Sequence, residues 1–414
     1  MSGIVLSASV RQNLLSLQAT ADLLATTQNR LSTGKKVNTA LDNPTNYFTA
    51  QGLDNRANDI SNLLDGIGNG VQVLQAANTG ITSLQKLVDT AKSLANQVLQ
   101  APTGYSPKAS ATSLAPAGAG ALSVVGTAAD LTNAGTNSLQ GKTFTFTPAT
   151  GAATTITISN VVGAGNVNSI DALNTALSAA GLGLTASFAT NGSLTLTSSN
   201  DNASQTLTLG AVAAPNNIAI SGSDTAALVT PTGGVAGQPL ADASSQTIRA
   251  NLVSQYNNVI QQISTTSQDA SFNGINLLNG DDLKLIFNET GKSTLTIKGV
   301  TFNAAGLGLA PLVSGTDFLD NASANAIITK ISSASNALRT QASTLGSNLS
   351  IVQIRQDFSK NLINVLQTGS SNLTLADTNE EAANSQALST RQSIAVSALA
   401  LANQSQASVL QLLR

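Results

Sequence analysis

Apolar side chains recur at heptad spacing near both ends of this 414-residue chain, and that period restricts those ends to long paired helices. From Val10 the stripe steps through Leu14, Leu17, Ala21, Leu24 and Leu31, is interrupted at Gln28, and stops at Gly34, a natural helix terminator. A second seam repeats every seven residues through Leu53, Ile60, Ile67, Leu74, Ile81, Val88 and Ala95, flanked by Ala57, Leu64, Val71 and Leu84. A third, roughly 243–266, offers Ile248, Leu252, Tyr256, Val259 and Ile263. The fourth, roughly 322–368, keeps Ile331, Leu338, Leu345, Val352 and Leu366, with Ser359 as its exception. A last stretch from about 379 carries Leu388, Ile394, Leu401 and Leu412 among many small residues. Sevens sustained this long predict helices packed as a bundle or coiled coil. Ordinary core packing accounts for the middle three.

The segment 101–240 has a different character. Its only charges are Lys108, Lys142, Asp130, Asp171, Asp201 and Asp224. Alternating runs at 143–147, 155–158 and 193–197 predict half-buried strands. Between them Ser169 opens a short helix through Leu177. A further hairpin is expected at 283–287 and 294–302. The expected fold class is therefore mostly α: a long antiparallel helical bundle or coiled coil from both chain ends, with a β-hairpin and an inserted α+β domain.

Composition narrows the chemistry. The chain has no His and no Cys, and only 10% of its residues are charged. The commonest general base and metal ligand is thus missing, as are thiol nucleophiles and zinc-thiolate sites. No catalytic, cofactor-binding or metal-binding constellation is expected. A net charge of −2 lacks the basic footprint of a nucleic-acid binder. No apolar run approaches the ~18 residues of a membrane span. The opening residues lack the basic region of a cleaved secretion signal, so an exported form is expected to leave by another route.

Neither end is expected to stand alone. An amphipathic helix buries a few large side chains at about 1.5–3 kcal/mol each. Ordering each residue costs roughly 1–2 kcal/mol of backbone entropy. Two outcomes satisfy the seams: the end helices pair within one monomer, or they order when neighbouring copies cover them. A head-to-tail contact that does not close generates an open helical filament.

Three motifs then add a resemblance. Arg30-Leu31-Ser32-Thr33-Gly34-Lys35-Lys36-Val37-Asn38-Thr39-Ala40, followed by Asp42, resembles the N-terminal motif of bacterial flagellins. Phe272-Asn273-Gly274-Ile275-Asn276-Leu277-Leu278 resembles their F-N-G segment, and Val409-Leu410-Gln411-Leu412-Leu413-Arg414 resembles their V-L-x-L-L-R ending. The likeness covers roughly 1–100 and 241–414 and has an alphaproteobacterial flavour. It implies a non-enzymatic subunit that self-polymerises into the extracellular flagellar filament for swimming. By the same resemblance, 1–40 with 375–414 form the inner coiled coil, 41–100 with 241–374 the surrounding helical domain, and 101–240 an exposed insert similar to the flagellin IN module. The polymerisation core so implied comprises Val10, Leu14, Leu17, Leu24, Leu31, Leu388, Ile394, Leu401, Val409, Leu410, Leu412, Leu413 and Arg414. Implied partners are further copies, other flagellins, the type III export apparatus and its chaperone, and the cap and hook-junction proteins. Export without a cleaved signal peptide is part of that expectation.

The innate-receptor patch of other flagellins aligns with Thr90, Ser93 and Leu94, where only the Leu is kept; weak recognition is the expectation. Thr290-Gly291-Lys292-Ser293 mimics the end of a P-loop but has Ile286 where the motif needs Gly, and reads as a hairpin turn. Asp281-Asp282 reads as a solvated turn, and Asn202-Ala203-Ser204 as a chance triplet. The alternatives are a hook–filament junction protein, or an adhesin whose insert contacts a host.

Overall fold

The computed structural model describes residues 8–113, 131, 138–149, 151–161, 163–189, 192–209, 217–222, 228–229 and 237–412, with backbone alone at 8, 9, 228, 229, 406 and 409–412. The sequence expectation of a mostly helical chain with helices at both ends and a β-rich centre is met. Six helices occur among these residues: α1 (Ala8–Thr33), α2 (Pro44–Gln100), α3 (Ile170–Ala179), α4 (Ala243–Asp269), α5 (Asn321–Thr374) and α6 (Thr378–Leu412). The strands are β1 (Ser110–Ser113), β2 (Thr143–Pro148), β3 (Thr154–Ile158), β4 (Asn166–Val167), β5 (Leu184–Phe188), β6 (Leu194–Ser198), β7 (Thr206–Leu209), β8 (Asn217–Ser221), β9 (Leu228–Val229), β10 (Leu283–Ile286) and β11 (Thr294–Ile297).

The chain divides into two compact units. One comprises Met1–Gln72, Leu283–Ile297 and Ser347–Arg414; the other comprises Val73–Asp282 and Lys298–Gly346. Helices α2 and α5 contribute to both.

In the first unit α1 lies against α6, antiparallel, with Arg30 near the end of one meeting Glu381 near the start of the other. Ala57 and Ile60 of α2 bury against Leu366 of α5, with Leu53, Leu362 and Ile363 packed around them. The β10–β11 hairpin is fastened by Arg56 to Glu289 at 3.0 Å and by Arg355 stacked 5.2 Å over the Phe287 ring. Its second strand ends at Ile297, earlier than the expected 302. The 290–293 segment is the hairpin turn anticipated from the sequence, closed by Gly291 N–H to the Asn288 carbonyl at 3.1 Å.

In the second unit the seam positions Leu74, Ile81, Val88 and Ala95 of α2, and Ile331, Leu338 and Leu345 of α5, are all buried. Helix α4 departs from expectation. Its seam runs through Ser245, Arg249, Leu252, Val253, Tyr256, Ile260, Ile263 and Ser267. Ile248, expected inside, is 43% exposed, and Val259 is only half-buried. The cause is Arg249, whose guanidinium finds acceptors inside and turns the helix one position from its most apolar face.

The same unit holds two sheets, of order β5-β6-β1-β9 and β4-β3-β2-β8-β7. The first is antiparallel throughout; the second has parallel outer pairs, β3 with β4 and β7 with β8. Phe144, Phe146, Ile156, Ile158, Leu194 and Leu196 turn inward on alternate residues and share one core with Leu173 and Leu177 of α3. Ser169 caps α3 as expected, accepting from the Ala172 N–H. Across the outer face, Thr143 pairs with Thr157 and Thr145 with Thr155 at 3.2 and 3.0 Å.

Candidate functional site

The residues singled out at the chain ends sort into an inner seam and an outer stripe. On α1 the inward positions include Val10, Asn13, Leu17, Thr20, Ala21, Leu24 and Thr27. Leu14 and Leu31 turn outward, beside Leu15 and Leu23. The apolar spacing places Leu14 and Leu31 on the seam, with Gln28 as its break; Asn13 and Arg30, one position earlier, turn inward instead. A two-helix pair needs only a narrow contact line, and small polar side chains fill it between the Val10, Leu17 and Leu24 layers.

On α6 the half-buried positions are Ser385, Leu388, Gln392, Ala395, Leu399 and Ala402. Ile394, Val396 and Leu401 face away, Leu401 with 72% of its surface exposed. Val409, Leu410 and Leu412 lie on the backbone of α6, but their side chains, and Leu413 and Arg414 altogether, lie outside the described residues.

The 30–42 motif builds a corner. Gly34, at φ +67, ends α1 in the left-handed region. Its carbonyl accepts from Ala376 N–H at 3.0 Å, and the Thr374 carbonyl accepts from the N–H groups of Lys36 and Val37 at 2.7 and 3.3 Å. The α1–α2 and α5–α6 joints are thereby laced together by backbone. Arg30 reaches Glu381 at 3.3 Å. Ser32 Oγ donates to the Asn29 carbonyl at 3.0 Å, and Asn38 Nδ2 to the Lys35 carbonyl at 3.0 Å. Asn43 Oδ1 then caps α2, accepting from Asn46 N–H at 3.0 Å, with Pro44 at the first helical position.

Asp42 closes the corner: one carboxylate oxygen accepts from the Thr39 N–H at 2.8 Å, the Asn38 N–H at 2.9 Å and the Thr39 hydroxyl at 3.2 Å. The Thr39 and Asn38 backbone donors hold its pKa below the ordinary carboxylate value. A depressed folded pKa contributes order above the unfolded value of about 3.9 that is lost as pH falls through the folded value. Protection against amide exchange at Asn38 and Thr39, relative to the intrinsic rate, is therefore expected to be high at neutral pH and to be lost in acid as Asp42 is protonated. Asp42→Asn is expected to make exchange there fast and nearly pH-insensitive once intrinsic exchange is subtracted; an unchanged profile would refute the clamp.

The 272–274 motif, in the other unit, is a turn. Phe272 and Ile275 exchange backbone hydrogen bonds at 3.0 and 3.1 Å, and φ is positive at Asn273 (51°) and Gly274 (80°), the pattern of a type I′ turn. The residue doing most of the holding is Asn276, which the sequence reading quoted but did not select. Its buried Nδ2 donates to the Ser267 and Gln268 carbonyls at 2.9 and 2.8 Å, and its Oδ1 accepts from Leu278 N–H at 2.9 Å. Asp281 and Asp282 are not merely solvated: Asp281 accepts from Asn276 N–H, and Asp282 pairs with Lys298. Among the described residues no group of three or more Asp or Glu is placed to hold a metal ion. Of the residues expected to align with the receptor patch, Thr90 and Ser93 are exposed on α2, whereas Leu94 is buried.

Both ends match known proteins. Residues 5–117 match the bacterial flagellin N-terminal helical region, and residues 328–413 match the bacterial flagellin C-terminal helical region. Flagellin FljM of Caulobacter vibrioides is 34% identical over 176 residues, and Flagellin FljK of the same organism 33% identical over 176 residues. Each alignment covers 42% of this chain and 63% of the relative's own length.

Proposed function

We propose that this chain is a bacterial flagellin, the structural subunit of a flagellar filament, polymerising through its own surfaces without a catalytic step. The observation that carries this reading is the unpartnered apolar stripe on the α1–α6 pair: Leu15, Leu23, Ile394, Val396 and Leu401 lie in water once the inner seam is satisfied. A second stripe, Ile351, Ile354, Phe358 and Val365 of α5, repeats at heptad spacing in the same unit. Apolar surface on this scale is a contact surface, and copies of the same chain present matching helices.

The proposed division of labour follows the family. Segments 1–40 and 375–414 form the filament core, 41–100 and 241–374 the surrounding contacts, and 101–240 faces outward. Proposed partners are other copies or other flagellins, the export apparatus with its chaperone, and the cap and junction proteins; the proposed location is outside the cell. The absence of His and Cys from the sequence supports a role without catalysis.

Deleting 405–414 tests the role of the ends. The purified subunit is expected to stay soluble and mostly helical by circular dichroism, yet to form no filaments in electron micrographs. Filament growth at the full-length rate would defeat the reading.

A further inference from the structure

The 101–240 insert begins and ends side by side. Tyr105 bridges to Ala241, Ser106 N–H donates to the Leu240 carbonyl at 2.9 Å, Leu240 N–H donates to the Pro107 carbonyl at 2.9 Å, and Ser110 exchanges backbone hydrogen bonds with Gly237 at 2.9 and 3.0 Å. Such a two-stranded neck, taken alone, is a pivot. A second attachment removes that freedom. The turn between β6 and β7 reaches the first turn of α5: Ala322 N–H donates to the Asp201 carbonyl at 2.9 Å, Asn321 Nδ2 to Asp201 Oδ1 at 3.3 Å, and the Ser204 hydroxyl to the buried Asp320 carboxylate at 2.6 Å.

Beneath both attachments lies Arg249, 2% exposed. Its Nε donates to the Pro102 carbonyl at 3.1 Å, where the neck begins. Its Nη1 donates to the Phe318 carbonyl at 2.9 Å, and Nη2 lies 3.4 Å from Asn321 Oδ1, where α5 begins. Phe318 holds an uncommon left-handed backbone, φ +58, and packs its buried ring edge-on against Tyr256 at 5.9 Å. A bulky residue keeps that conformation only where its surroundings over-determine it. One guanidinium thus links α4, the root of the neck and the start of α5, and the neighbouring Asp320 ties the start of α5 to the insert.

We propose that the insert is a braced outrigger with its orientation locked to α4 and the start of α5 by two neighbouring ties, Arg249 on the Pro102 and Phe318 carbonyls and Ser204 on the Asp320 carboxylate. Arg249, Ser204 and Asp320 are positioning residues, and the lock belongs to the subunit itself, so it does not depend on polymerisation. In an assembly, inserts held this way present the same face at every lattice point. A buried charge held by three directional acceptors suits such orientational specificity better than apolar packing does.

The absence of Cys makes the test direct, because two introduced cysteines carry the only spin labels. Thr185→Cys on β5 and Thr329→Cys on α5 place both labels at exposed positions, one on the insert and one on the base. Pulsed dipolar spectroscopy of the soluble subunit is expected to give one narrow distance distribution. Ser204→Ala is expected to broaden it, and Arg249→Met to broaden it by roughly twofold or more, with the helical circular-dichroism signal kept. A broad distribution in the parent, or an equally narrow one in both variants, overturns the proposal. If Arg249→Met fails to fold, Ser204→Ala decides alone, since it removes one buried hydroxyl and leaves the apolar core unchanged. Filament formation is scored separately, so failure of the lock is distinguishable from failure of the assembly reading.

Discussion

Leu401→Asp and Leu23→Asp are each expected to leave the subunit folded and to abolish polymerisation. Their side chains are 72% and 55% exposed, so a carboxylate at either place stays hydrated in the free subunit. Substitutions at such positions ordinarily change stability by about 0.5 kcal/mol or less. Inside the proposed filament core the same carboxylate would be stripped of water with no partner, at a cost of several kcal/mol per ion. Each 1.4 kcal/mol is about tenfold in an association constant, so the critical concentration is expected to rise by at least about two orders of magnitude. Sedimentation of subunits after seeding measures it, and thermal melting of the soluble fraction verifies the fold. Seeded growth at the parent's critical concentration would show that this stripe lies outside the contacts. An equally large loss of monomer stability would show that the stripe is internal.

Leu338→Ala carries the largest expected cost to the subunit itself. Leu338 is fully buried at the centre of the α5 seam. Truncating such a leucine removes its transfer free energy and leaves a cavity, together about 2–5 kcal/mol. Thermal denaturation of the soluble subunit is expected to show a drop of several degrees for Leu338→Ala. Ile354→Ala, on the exposed side of the same helix, is expected to stay within about 0.5 kcal/mol of the parent. Comparable losses at both positions would mean that α5 is packed on both sides in the subunit.

The two predictions separate what heptad spacing conveys from what it omits. Spacing identifies helices that need partners, and in α2 and α5 it also identifies the buried residues, down to Ser359, which occupies its seam position although it is polar. Along those rows of sevens apolar and buried largely coincide, although α5 also leaves Ile351, Ile354, Phe358 and Val365 exposed. In α1 the rule holds at Val10, Leu17, Ala21 and Leu24 but fails at Leu14 and Leu31, which stand outside while Asn13, Thr20 and Thr27 stand inside. Among the described residues α1 packs against α6, and the exposed apolar face of that pair is left for something else. Periodicity reports that a face is apolar, not which neighbour covers it.

The corner and the brace were legible to different degrees. Gly34 and Asp42 are short-range features: a helix stop and a carboxylate closing on backbone N–H groups a few residues away. Arg249 and Asp320 are long-range. Each reads as an ordinary helical arginine or a capping aspartate until the fold brings Pro102, Phe318 and Ser204 to them.

The sequence by itself determined the helices, the strand-rich insert and the hairpin, because 3.6- and 2-residue periods, caps and turn residues act over a few neighbours. Only the tertiary structure decided which side of the terminal pair is left open, that Leu94 is turned inward, and that the insert is held at two points. Each depends on side chains distant in sequence competing for the same space and the same hydrogen-bond partners, and no local pattern encodes the outcome of that competition.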